Sequence, residues 1–241
     1  MHIYKAIKEE MLVPIHPAGW PFILLFVAVT LAIGSIETSF FVIGVPLCLW
    51  CVYFFRNPPR AIPQAEGWVI SPADGRILSV EKLDPPAEMQ LPAGDYQRIA
   101  IFMNVFDVHV NRLPMAGRID HISYHRGKFL NASLDKASVD NERNALTITT
   151  DFEKNGKPFQ IGFVQIAGLV ARRILCDVNI GDKRQAGDVF GLIRFGSRVD
   201  VWIPADWKVL VAGDQRAVAG ETVLADATRK EGKTPLKAMV K

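Results

Sequence analysis

Between Pro21 and Phe55 the chain carries a single charged side chain, Glu37. No fold can leave thirty-odd such residues in water, so this stretch must be buried in protein or in lipid. Its two apolar runs, Phe22–Ile33 and Phe40–Phe55, each fall short of the ~20 residues of a full span. They flank the polar break Gly34-Ser35-Ile36-Glu37-Thr38-Ser39, a pattern that predicts an α-helical membrane hairpin over residues 21–56. A buried core hairpin of a soluble protein is the alternative. A cleaved leader fits less well, because the apolar stretch is too long and no Ala-x-Ala follows. Lys5 and Lys8 precede the pair and Arg56 and Arg60 follow it. Since Lys and Arg are retained on the cytoplasmic side, both ends and everything after residue 60 are expected at the cytoplasmic face of the cell membrane. Residues 1–20 open with Ile3, Ile7 and Met11 at helical spacing beside Lys5, Lys8, Glu9 and Glu10, an amphipathic segment suited to a membrane surface.

The three cysteines add no framework. Cys48 and Cys51 form a C-x-x-C inside the apolar run, with no second pair to complete a metal site, and Cys176 is alone. They read as apolar thiols, and no metal is expected. Among 241 residues, 28 Lys and Arg against 25 Asp and Glu leave a formal charge of +3. The charges are interspersed, and no basic run with interleaved aromatics argues for nucleic acid.

Beyond Asn57-Pro58-Pro59-Arg60, a stiff linker, the chain reads as short strands punctuated by Gly, Asp and Pro. Strands are predicted over 68–70, 76–81, 98–103, 117–125, 145–150, 158–166, 189–195, 198–203, 207–211 and 221–224, with one helical signal over 131–138. The fold class is α+β but mostly β: a barrel-sandwich-like catalytic domain over 57–228 with few helices, preceded by the helical hairpin and followed by a basic tail, 229–241. A loose internal repeat supports the barrel-sandwich reading. Gly181-Asp182 and Gly187-Asp188 echo Gly213-Asp214 and Gly220-Glu221, each a Gly-Asp turn, a spacer and a second turn feeding a β-branched strand. Such paired hairpins occur in biotin and lipoate carriers, but no exposed lysine tip is present.

Chemistry-bearing residues are few, and the common nucleotide, hydrolase and zinc-protease motifs are missing. Asp107, His109 and Asn111 alternate with Val108 and Val110, which on a strand would place the three polar groups on one face. His125 sits in a turn after a strand. Asp74 stands in Ser71-Pro72-Ala73-Asp74-Gly75, by itself a turn. Gly191–Pro204 reads as two strands broken at Gly196-Ser197, by itself a turn or bulge.

Together these residues resemble a family. Pro-Ala-Asp-Gly (72–75), Asp-x-His (107–109), Tyr-x-x-Gly (124–127), Asn-Glu-Arg (141–143), Gln-Ile-Ala-Gly (165–168) and Phe-Gly-Ser (195–197) occur in the order found in phosphatidylserine decarboxylases. The chain resembles the short form, and the likeness covers nearly everything beyond residue 57. It implies a carboxy-lyase that converts phosphatidylserine to phosphatidylethanolamine through a pyruvoyl group made from Ser197. Decarboxylating a serine headgroup leaves an electron pair on Cα that needs an electrophilic sink, and no pyridoxal-phosphate signature is present. The resemblance implies that the Ser197 hydroxyl attacks the Gly196 carbonyl, that the ester eliminates to dehydroalanine, and that hydrolysis leaves the pyruvoyl group on the new chain.

It also assigns Asp74 as the orienting carboxylate and His109 as the histidine, which would also protonate the decarboxylated carbon. Longer members carry a second histidine three residues on, where this chain has Arg112; His109 then serves both maturation and decarboxylation, or His125 substitutes. Arg198 replaces their Thr. Arg112, with His125, is the candidate for holding substrate. The expected partners are the lipid bilayer, the two fragments of the chain and further copies of it. Two alternatives stay open: a non-catalytic, membrane-tethered binding or carrier module, and the same chemistry on archaetidylserine.

Overall fold

A computed structural model describes residues 13–127, 140–154, 156–168, 173–194 and 196–230. The amphipathic segment over 1–11, the helix expected over 131–138 and nearly all of the basic tail lie outside them. The chain divides into two compact units, residues 1–59 and 60–241.

In the first unit, helices α1 (Trp20–Gly34) and α2 (Phe41–Phe54) form the expected hairpin. Gly44 is required where they meet, because a Cβ there would lie 2.5 Å from the Thr30 methyl. Glu37 caps the intervening turn by accepting the Ser39 amide at 3.1 Å. Pro17–Gly34 is long and apolar enough to cross a membrane, whereas Thr38–Phe54 is shorter. Most of the large apolar side chains on both helices face outward, among them Leu24, Leu25, Leu31, Val42 and Leu49. A soluble core hairpin would bury them, so the fold favours the lipid reading.

The second unit is built almost wholly of strands: β1 (Trp68–Ile70), β2 (Gly75–Lys82), β3 (Tyr96–Met103), β4 (Val110–Arg112), β5 (Gly117–His125), β6 (Arg143–Lys154), β7 (Lys157–Ala167), β8 (Ile174–Cys176), β9 (Lys183–Arg184), β10 (Val189–Ile193), β11 (Ser197–Pro204), β12 (Trp207–Val209), β13 (Arg216–Ala217) and β14 (Val223–Lys230). Eight of them form one sheet in the order β13-β2-β3-β11-β7-β6-β5-β9; two three-stranded sheets, β1-β14-β12 and β4-β10-β8, complete the domain. The mostly-β class is therefore as expected.

Strand β11 is central, paired antiparallel with β3 on one side and β7 on the other. Val199, Val201 and Ile203 enter the main core with Ile101, Phe163 and Leu224. They alternate with Arg198, Asp200 and Trp202, and both faces of the strand are buried. Trp202 packs with Met89 and Tyr96, and Arg198 donates to Asp200 at 2.5 and 2.9 Å. A charged pair can occupy a closed face because each ion satisfies the other.

The repeated turns lead into β9 and β13, at opposite edges of the large sheet. Gly187 and Gly220, equivalent in the repeat, have φ of +85° and +80°. Both lie against Ile62, where a Cβ on either would come within 2.7 Å of its side chain. The linker residue Ile62 is thus wedged between the two halves of the repeat.

Candidate active site

The Gly196–Ser197 bond lies at the start of β11. Ser197 pairs with Met103 and Ala167 and is fully buried, and its hydroxyl has no hydrogen-bond partner among the described residues. A buried hydroxyl left unsatisfied is costly and uncommon. Gly196 has φ +66°, a left-handed conformation that glycine adopts without strain. Its amide donates to His109 Nε2 at 3.3 Å. That nitrogen must therefore carry a lone pair. In the neutral ring the proton lies on Nδ1, which donates to the Asp107 carbonyl at 3.0 Å. His109 is fully buried.

Asp107 and His109 do not share a strand face as the alternation implied. Strand β3 ends at Met103 and β4 begins at Val110, with a turn between. Asp107 closes that turn by accepting the Asn104 amide at 2.9 Å, and Arg216 of β13 ion-pairs with it. This local side-chain bonding outcompetes the strand ladder. Asn111 does lie on β4, where Gln165 donates to its Oδ1 at 3.0 Å, while Asn144 donates to Gln165 Oε1 at 3.1 Å.

Asp74 is drawn towards the same region by Gly75, at which a Cβ would overlap the Phe102 carbonyl. Its carboxylate is occupied from two sides. Arg60 donates to Oδ2 at 2.8 Å and to Oδ1 at 2.9 Å, and the Ala219 amide donates to Oδ1 at 2.7 Å. The orienter contacting His109 Nδ1 is the Asp107 main chain. Arg60, read from sequence as a linker charge flanking the membrane hairpin, is instead largely buried against Asp74. Only Arg56, stacked 3.6 Å over the Tyr53 ring, remains as the described flank charge after the hairpin.

Arg112 donates to the Gly187 carbonyl at 2.9 Å. Burial, and then the neighbouring Arg60 charge, hold its guanidinium below the ordinary arginine value. His125 lies elsewhere. Its register runs His125–Arg143–Ile166–Arg198 across β5, β6, β7 and β11, about three strand spacings or ~14 Å from the β11 start. There its Nε2 is 3.0 Å from Ser123 Oγ and 3.6 Å from Glu88. The structure brings His109 to the Gly196–Ser197 bond and does not bring His125.

The other motif residues support the bond. Asn141 donates to the Ala167 carbonyl at 2.7 Å, and the Ala167 amide donates to the Glu142 carbonyl at 2.9 Å. Ala167 is the cross-strand partner of Ser197. Both contacts depend on residues distant in sequence, so spacing alone gave no sign of them.

Residues 47–225 match the family model of phosphatidylserine decarboxylase. The chain belongs to that family. Phosphatidylserine decarboxylases are carboxy-lyases, and the match spans the second half of α2, the linker, Asp74, His109 and the Gly196–Ser197 bond. The family's substrate is the lipid phosphatidylserine, consistent with an apolar helix at the amino-terminal side of the domain.

Proposed function

We propose that this protein decarboxylates phosphatidylserine to phosphatidylethanolamine after cutting itself between Gly196 and Ser197, the serine becoming a pyruvoyl group. The observation that carries the reading is the orphaned Ser197 hydroxyl, buried one residue from an imidazole lone pair. A nucleophile at rest in a fold is normally satisfied; one without a partner next to a base is poised.

In maturation, His109 Nε2 takes the Ser197 proton as Oγ bonds to the Gly196 carbonyl carbon. The peptide C–N bond then breaks, and the proton returns to the freed amine, giving an ester. Loss of the Ser197 α-proton with departure of the Gly196 carboxylate leaves dehydroalanine, and water releases its nitrogen as ammonia. Gly196 has no side chain of its own to stand in the path of attack on its carbonyl. Asp74 is held in place by Arg60 and the Ala219 amide.

A pyruvoyl group at position 197 would supply the electrophilic sink for the electron pair left on the substrate's Cα when carbon dioxide departs. The chain's own part is to exclude water from the carboxylate and to deliver a proton from His109 to Cα. The domain is placed on the cytoplasmic face by the positively charged flanks of the hairpin.

The test is the intact mass of the purified full-length protein. Two fragments are expected, the smaller being 197–241 and lighter by ammonia than a chain beginning with serine. A single unbroken chain with unmodified Ser197 in an active preparation overturns the reading and favours a non-catalytic module.

A further inference from the structure

The main chain of His109 is fixed by β10, where the Ile193 amide donates to the His109 carbonyl at 3.2 Å. The ring is fixed separately, from the turn over 104–107 that precedes it. In that turn the Asp107 amide donates to the Asn104 carbonyl at 3.0 Å, and the Asn104 amide donates to Asp107 Oδ2 at 2.9 Å. The Phe106 amide donates to Asn104 Oδ1 at 2.8 Å. Asp107 Oδ1 is taken by Arg216 of β13, whose register partner on β2 is Arg76, beside Gly75. The buried Asp107 carboxylate therefore closes the turn and ties it to the edge of the large sheet.

These bonds converge on one peptide plane. The carbonyl that accepts the His109 Nδ1 proton at 3.0 Å is that of Asp107 itself. A main-chain carbonyl points where its dihedrals put it, so the side chain that closes the turn also aims the acceptor. The ion pair with Arg216 is unsuited to a stabilising role, because that side chain is 63% exposed and exposed pairs contribute little. What it does is hold Oδ1, which leaves Oδ2 on the Asn104 amide.

We propose that Asp107, acting through this turn with the help of Arg216, is a positioning residue that keeps the His109 proton on Nδ1 and presents Nε2 to position 197. The assignment rests on the function proposed above. Which nitrogen of a neutral imidazole carries the proton is set by the hydrogen bonds offered to the ring. The contact at Nε2 comes from Gly196, the residue that becomes a chain end once the bond is cut. The contact at Nδ1 is made entirely within residues 107–109 and does not depend on that bond. Proton delivery after the cut needs the ring in the same orientation, so the turn serves both steps.

The first measurement uses full-length Ser197→Ala protein in detergent, uncleaved, with isotope-labelled histidine. It reads the ring-nitrogen NMR shifts of His109, assigned by the signals lost on His109→Gln. The Nδ1-protonated ring is expected. Adding Asp107→Ala moves the ring towards the Nε2-protonated form, while Asp107→Asn, whose Oδ1 can accept the same Asn104 amide, keeps most of the Nδ1 form. The second measurement restores Ser197 and follows the 197–241 fragment over time. Asp107→Ala slows its appearance about tenfold, as for the loss of one hydrogen bond, and Asp107→Asn less than about threefold. An unchanged tautomer in Asp107→Ala overturns the assignment even if cutting slows, since that marks a structural role. Asp107→Asn behaving like Asp107→Ala overturns it as well. Should Asp107→Ala not fold, the exposed Arg216→Gln carries the comparison, and a wild-type tautomer and rate there overturn the proposal. A wild type that never splits removes the proposed function, while the tautomer, read on the uncleaved chain, still decides the role of Asp107.

Discussion

Gly196 donates its amide to His109 Nε2 across 3.3 Å, so the ring nitrogen facing the Gly196–Ser197 bond holds a lone pair. General-base assistance of this kind contributes about 10²–10⁴-fold. His109→Gln is expected to slow appearance of the 197–241 fragment by at least about 100-fold, followed on a denaturing gel over time. Ser197→Ala yields no fragment at all. Normal splitting in either variant removes the base or the nucleophile from the scheme.

Arg60 and Asp74 form a mostly buried ion pair, with side chains 11% and 12% exposed. Removing one partner strands the other charge, at a cost of about 3 kcal/mol. Arg60→Met is expected to lower the stability of the β domain by that order in denaturant titrations of the detergent-solubilised protein. Arg60→Met combined with Asp74→Asn restores part of the loss, because no charge is left alone. Additive losses would show that the pair is not coupled.

Glu88 receives Arg143 at 2.5 and 2.8 Å, and these bonds hold its carboxyl below the ordinary value of 4.5 despite an opposing effect of burial. An acid depressed in the fold stabilises fully above its unfolded pKa and loses that contribution as pH falls through the folded one. Melting temperature should therefore drop on acidification below about pH 4.5. Glu88→Gln should be less stable at neutral pH and show a shallower acid decline, read by thermal scans between about pH 3 and 6. Parallel curves for the two proteins would contradict this.

Gly75 and Gly156 both have positive φ, but their surroundings differ. A Cβ at Gly75 would overlap the Phe102 carbonyl, whereas at Gly156 it would meet nothing within 4 Å. Gly156→Ala should cost only about 1–2 kcal/mol of backbone strain. Gly75→Ala must displace β3 main chain next to the partner of Ser197, and is expected to abolish both fragment formation and soluble yield in detergent. Equal effects of the two substitutions would mean the close approach is dispensable.

Much of the β domain was legible locally. The strands at 68–70 and 117–125 came out with the bounds that alternation and turn residues implied, and Phe22–Ile33 and Phe40–Phe55 gave the helical hairpin. Strands β4, β8, β9 and β13, two or three residues long, are not among the strands predicted from the sequence, because each is defined by its pairing with a distant strand rather than by its own pattern. The Asp107–His109 stretch misled because its alternation fits a strand, while its side chains and main chain bond to one another and form a turn.

The sequence by itself determined the apolar hairpin, the β-rich domain and the Gly196-Ser197 break, because these follow from hydrophobic period and from residues with restricted φ. It could not determine that Arg60 closes on Asp74, that Arg216 meets Asp107, or that His109 rather than His125 reaches the reacting bond. Those pairings join residues separated by 14, 109 and 87 positions. They depend on strand order and register, which the whole core decides at once and no local stretch encodes.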